Sequence, residues 1–165
     1  MLHKVKLTFC GGVNKVGGNK VLLEDLGYGV KIFLDFGINT NEFSSCRRNY
    51  EDDIIEIQQL THNHVLPREE DIPIKNLYSK YFIFNHKSLN FRQKIKECEN
   101  SIDPKTDLDG IFISHPHRDH YQGLSFINRN IKIFAGVVTK RIIKAYSKSN
   151  APRFENFLFG LKWNR

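Results

Sequence analysis

Behind a short apolar run, Gly110 to Ile113, the chain reads Ser114-His115-Pro116-His117-Arg118-Asp119-His120, so three of its seven histidines and one carboxylate fall within six residues. Side chains two apart on an extended chain point the same way, which lets His115 and His117 offer two imidazoles to one cation. Asp119 and His120 come next and can turn toward a second cation once the chain bends into a turn or a helix start. Neutral imidazole and carboxylate suit zinc, whose nitrogen and oxygen ligands lie at about 2.0–2.2 Å. A second ion about 3.5–4 Å from the first is the arrangement of two-metal hydrolysis. A lone histidine is more often an ordinary surface residue, but four residues able to ligate a metal within six positions at a strand's end point to a metal site.

The elements that must position these residues are legible in outline. Val5, Leu7 and Phe9 alternate with Lys4, Lys6 and Thr8, the period of a half-buried strand. Lys20–Leu26 and Val30–Phe36 read as a hairpin around Gly27-Tyr28-Gly29. Glycines at 11, 12, 17 and 18 allow the backbone to come close to whatever lies at the sheet's end. Gly110–Ile113 reads as a buried parallel strand, Tyr121–Ile127 as a helix and Ile131–Phe134 as a strand. Thr139–Tyr146 follows as a basic helix with Ile142, Ile143 and Tyr146 on its apolar side. Alternating strands and helices argue for α/β layering in one domain over 1–165. Between about 41 and 108 the chain is polar, acidic and broken by prolines, and reads as a surface insertion with helices over Asp52–Leu60 and Lys87–Cys98.

The run His115-Pro116-His117-Arg118-Asp119-His120 behind an apolar strand resembles the HxHxDH signature of the metallo-β-lactamase fold. Gly11-Gly12-Val13-Asn14-Lys15-Val16-Gly17-Gly18-Asn19, followed by a strand and Ile32-Phe33-Leu34-Asp35-Phe36-Gly37, resembles the opening of that fold in its RNA-processing branch, related to ribonuclease J and its archaeal relatives. Val65-Leu66-Pro67 with Asn76-Leu77-Tyr78 is similar to an insertion such nucleases carry. The resemblance runs from about Val5 to about Tyr146 and implies the front half of an αββα sandwich. It implies two zinc ions, with His115 and His117 on the first and Asp119 and His120 on the second. Asp119 would also orient or deprotonate the attacking water, and Asp35 would brace the site from behind. Family members draw a third ligand, a bridging Asp and a last His from the following half, and no His follows His120 here.

Composition narrows the function classes. With 40% hydrophobic and 12% aromatic residues over 165 positions, this is not the composition of a disordered chain. No apolar stretch approaches the roughly 18 residues that span a bilayer, and Met1–Lys6 lacks the layout of a signal peptide. Cys10, Cys46 and Cys98 form no CxxC pair and read as reduced thiols, so a cytoplasmic location is expected. The net charge of +7 is uneven. From Arg129 to Arg165 nine Lys or Arg face one acid, Glu155, while thirteen of eighteen acids lie between Glu42 and Asp109. A basic C-terminal face suits RNA, whose phosphates Lys and Arg neutralise.

Other candidates are weaker. Gly17 is followed by Gly18-Asn19-Lys20-Val21, which lacks both the adjacent Lys and the hydroxyl of a Walker loop. His62, His64 and His86 have no carboxylate or strand context and read as surface histidines. Phe154, Phe157, Leu158, Phe159, Leu161 and Trp163 crowd apolar groups into the last dozen residues and suggest an interface. The expectation is therefore a zinc-dependent hydrolase, a phosphodiesterase or ribonuclease acting on RNA. One rival is a split half-domain, silent alone, that needs a second copy or a partner chain supplying the other half. The other is a hydrolase of small esters, lactams or thioesters on the same fold.

Overall fold

The computed structural model describes residues 4–48, 57–79, 102–149 and 162–164. Among these residues six strands form one mixed sheet in chain order: β1 (Val5–Gly11), β2 (Lys20–Asp25), β3 (Val30–Leu34), β4 (Gly110–Ile113), β5 (Lys132–Ala135) and β6 (Lys162–Asn164). The first three pair antiparallel, and β3 to β6 run parallel to one another. Among the described residues four α-helices accompany them: α1 (Thr40–Arg48), α2 (Ile57–His62), α3 (Arg118–Tyr121) and α4 (Val137–Ser149). This is an α/β chain. No helix among the described residues is long and apolar enough to cross a membrane.

Local chemistry sets the turns. Asp25 Oδ1 accepts from the amides of Gly27 at 2.8 Å and Tyr28 at 3.1 Å, and Gly29 takes a φ of 69°, which closes the β2–β3 hairpin. Asn39 caps α1 by accepting from the amides of Asn41 and Glu42, and its Nδ2 donates to Val16 O at 2.9 Å. One side chain thus starts a helix and ties it to the glycine loop between β1 and β2.

The two faces of the sheet differ. Leu22, Phe33, Ile111, Ile113 and Ile133 point into a core closed by α1, α2, the segment 65–78, the turn after α3, and Ile143 of α4. The opposite face is apolar and open. Register places Phe9, Val21, Leu34, Phe112 and Phe134 in one row across five strands, and Phe9 and Phe112 remain 64% and 44% exposed. Phe112 and Phe134 stack with ring centroids 4.6 Å apart. The alternation of Val5, Leu7 and Phe9 is therefore real, but their side is the open one, while Thr8 and Cys10 face the helices.

Three further expectations change. The segment read as a surface insertion buries Leu60, Val65, Leu66, Ile74, Leu77 and Tyr78. Tyr121–Ile127 is not a regular helix: α3 ends at Tyr121 and a 3₁₀ turn covers Gln122–Phe126, all five residues buried. On α4 only Ile143 is buried among its apolar residues, and Ile142 and Tyr146 lie on its exposed side. Lys87–Cys98, His86 and residues 154–161 lie outside the described residues, as do residues 52–56 ahead of α2.

Candidate metal centre

The parallel strands β4 and β5 end side by side, Ile113 opposite Ala135, and the histidine motif leaves the sheet there. This is the edge where open α/β sheets place their ligands. Ser114 follows β4 directly, His115-Pro116 bends the chain, and His117 stands at the N-cap of α3 with extended φ and ψ of −81° and 139°. The helix start turns Asp119 and His120 back toward the sheet, with His120 N–H donating to His117 O at 2.9 Å.

The imidazoles converge. His115 Nε2 and His117 Nδ1 are 3.1 Å apart, and the rings of His115 and His120 have centroids 3.9 Å apart. Asp119 Oδ2 lies 3.7 Å from His120 Nε2. Asp35 sits behind them in the left-handed region at a φ of 58°, which Asp tolerates better than most residues. Its carboxylate accepts three hydrogen bonds, from the backbone amide and hydroxyl of Ser114 and from His120 Nδ1, each at 2.8 Å, and Ser114 Oγ in turn lies 2.9 Å from His115 Nδ1.

A proton inventory follows from these contacts. An ionised carboxylate only accepts, so Ser114 spends its single hydroxyl proton on Asp35, and its Oγ must accept from His115 Nδ1–H. His120 likewise donates from Nδ1. Both rings then carry their lone pair on Nε2, which at His115 faces His117 Nδ1 at 3.1 Å. Asn19 Nδ2, 3.2 Å from His120 Nε2, donates to that lone pair.

The backbone around the motif is clasped as tightly. Gly18 N–H donates to Asp119 O at 3.0 Å, and Phe36 N–H donates to His120 O at 2.9 Å. A Cβ on Gly37 would stand 1.5 Å from Asp119 O, and one on Gly17 would stand 2.7 Å from Asp119 Cβ. Side chains are excluded at both positions, so the close approach expected of the glycine loop is made to Asp119.

These donors suit zinc in type and spacing. Two nitrogens on one tetrahedral zinc, with bonds of about 2.0–2.1 Å, lie roughly 3.3 Å apart, close to the 3.1 Å between His115 Nε2 and His117 Nδ1. The donors form two pairs, His115 with His117 and Asp119 with His120. Among the described residues no group of three or more His, Cys, Asp or Glu side chains gathers as a complete metal site. His62 and His64 are exposed and stand apart from these contacts. Sequence reasoning assigned no role to Ser114, Asn19 or Lys20. Ser114 adjoins the motif and Asn19 closes the glycine loop, but only register across the sheet reveals what they touch.

No protein-family model matches the sequence, and no curated protein sequence matches it. Among solved structures, the chain is similar to a protein of unknown function from Enterococcus faecalis V583, with a TM-score of 0.60 and 17% identity. The match takes in 99% of this chain and 34% of that one. The likeness is one of fold, and this chain spans about a third of its neighbour's length.

Proposed function

We propose that the chain carries the histidine-rich half of a zinc-dependent hydrolase of metallo-β-lactamase type, acting as a phosphodiesterase on RNA. The observation that supports this best is that Asp35 contacts His120 Nδ1 directly and His115 Nδ1 through Ser114 Oγ, an arrangement that turns Nε2 of both rings toward an ion. His115 and His117 would hold one ion, and Asp119 and His120 a second. When bound, zinc supplies Lewis acidity to a phosphoryl oxygen and makes water acidic near neutral pH. Asp119, with its side chain one-third exposed, can take a proton from water or orient it. Asp35 and Ser114 keep the imidazoles in the tautomer that leaves Nε2 free.

RNA as the substrate class rests on charge. α4 starts at the sheet edge that bears the motif and carries Lys140, Arg141 and Lys144 within its first two turns, against no acid. Phosphate contacts of that kind make binding fall steeply with salt. Native mass spectrometry with added zinc, beside His117→Ala, tests the metal. Two zinc ions per chain or per assembled unit, lost in the variant, are expected, and no zinc uptake in any assembly state would sink the proposal. Absence of RNA cleavage by the zinc-loaded protein would remove RNA as substrate, and RNA binding that ignores salt would remove the role given to the basic face of α4.

A second reading is favoured by the open apolar face: the chain works only when another layer covers it. The row from Phe9 to Phe134 continues into a groove of about 480 Å³ lined by Phe9, Val13, Asn19, Leu34 and Asp35, so the uncovered face reaches the two residues that contact His120. A partner layer there could bring the ligands that complete the two pairs. Titrating oligomeric state against zinc uptake separates the readings, since the second requires that metal and assembly rise together.

A further inference from the structure

Lys20 is 2% exposed and has no carboxylate within ion-pair distance among the described residues. Its ammonium carries three protons and meets three main-chain carbonyls, Gly18 at 2.9 Å, Gly37 at 2.8 Å and Val65 at 3.1 Å. The lane it occupies is kept clear by Gly11, where a Cβ would stand 2.8 Å from both Lys20 Cε and Nζ. Burial lowers the pKa of Lys20 to about 8, with Glu42 of α1 and Cys10 of β1 opposing that shift and Lys15 of the glycine loop adding to it.

An unpaired buried cation costs stability, and an apolar residue of like length is the usual remedy. The three carbonyls explain what the charge does instead. Two of them belong to the segments that grip the motif from behind: Gly18 donates its amide to Asp119 O, and Gly37 lies against that same oxygen while its neighbour Phe36 donates to His120 O. We infer that Lys20 is a positioning residue for the Asp119–His120 pair, its ammonium drawing the glycine loop and the turn after β3 together so that they close on the backbone of both residues. The third carbonyl, Val65, anchors this clasp to the helical layer. The inference deepens the zinc reading above and rests on it for its functional meaning.

Lys20→Met separates positioning from support of the fold. In the metal-free chain, amide exchange by NMR is expected to show the Gly18 and Phe36 amides at least tenfold less protected, with β4 and β5 protected as before and the melting temperature unchanged or higher. Zinc affinity should fall at least tenfold. Unchanged Gly18 and Phe36 amides, or a loss shared equally by every amide, would overturn the inference. Should the variant fail to fold, the unaltered chain decides: a slowly exchanging Lys20 ammonium, coupled across its hydrogen bonds to the Gly18, Gly37 and Val65 carbonyls, supports it. An ammonium exchanging like a surface lysine refutes it. Because the amide measurement needs no zinc, loosened amides in a chain that takes up no metal would leave the clasp standing and remove the metal reading alone.

Discussion

Asp35 holds Ser114 twice, accepting from its backbone amide on Oδ1 and from its hydroxyl on Oδ2, both at 2.8 Å, across 79 residues of sequence. That pair of hydrogen bonds locks the residue before the histidine motif to the turn after β3. Because Oδ2 also accepts from His120 Nδ1, one carboxylate sets the tautomers of a histidine from each donor pair. His115 and His120 are therefore coupled through Asp35.

Asp35→Asn is expected to weaken zinc binding by about 10- to 100-fold, the usual cost of losing a partner behind a metal-binding histidine. The amide keeps one accepting oxygen but turns the other into a donor, which faces either the Ser114 amide or the Ser114 hydroxyl and His120 Nδ1 with a like group. Ser114→Ala releases only His115 and should cost less than Asp35→Asn. Competition titration with a chromogenic chelator ranks the two, and equal losses would contradict the coupling.

Gly37→Ala should disrupt the site more than its size suggests. The added methyl would meet Asp119 O at 1.5 Å, main chain that cannot swing away. A loss of about 3 kcal/mol or more in urea unfolding is expected, at the upper end of overpacking effects. Gly29→Ala is the contrast: its Cβ meets nothing within 4 Å, and only its φ of 69° resists, so about 1 kcal/mol is expected. Similar losses in the two variants would mean that the clasp around Asp119 is looser than described.

What was legible in the sequence was contiguous or periodic. The histidine motif could be read because its residues are neighbours, and the strands because alternation is local. Which side of β1 is covered was not legible, since Val5, Leu7 and Phe9 look like a core face and lie on the open one. The segment after α2 shows no period because turns bury it rather than regular elements. Glu69 accepts from the amides of Leu77 and Tyr78, and the Tyr78 hydroxyl donates to Pro67 O. Lys20 hid for a related reason: a lysine in a strand reads as solvent-facing until its carbonyl partners, up to 45 residues away, are known.

The open face predicts behaviour in solution. Phe9→Lys places a charge on a residue 64% exposed, so stability should change by no more than about 0.5 kcal/mol. Self-association should nonetheless drop, together with binding of a hydrophobic dye. Sedimentation velocity across a concentration series provides the check. If association is unaffected by the charge, the row from Phe9 to Phe134 is not the surface through which copies or partners meet.

Lys20 gives stability a distinct pH dependence. Its pKa is lowered to about 8 by burial in the folded chain, while the unfolded chain should titrate near the ordinary value of about 10.4. Between those values the unfolded chain binds more protons than the folded one, so unfolding free energy rises with pH through this window. The contribution is complete above the unfolded pKa and disappears as pH falls through about 8. A shift of this size corresponds to about 3 kcal/mol. Urea unfolding from pH 7.5 to 10.5 should show the rise in the unaltered chain and a flatter profile in Lys20→Met. A fall over the same range, absent from the variant, would mean that the three carbonyls stabilise the ammonium by more than burial costs it.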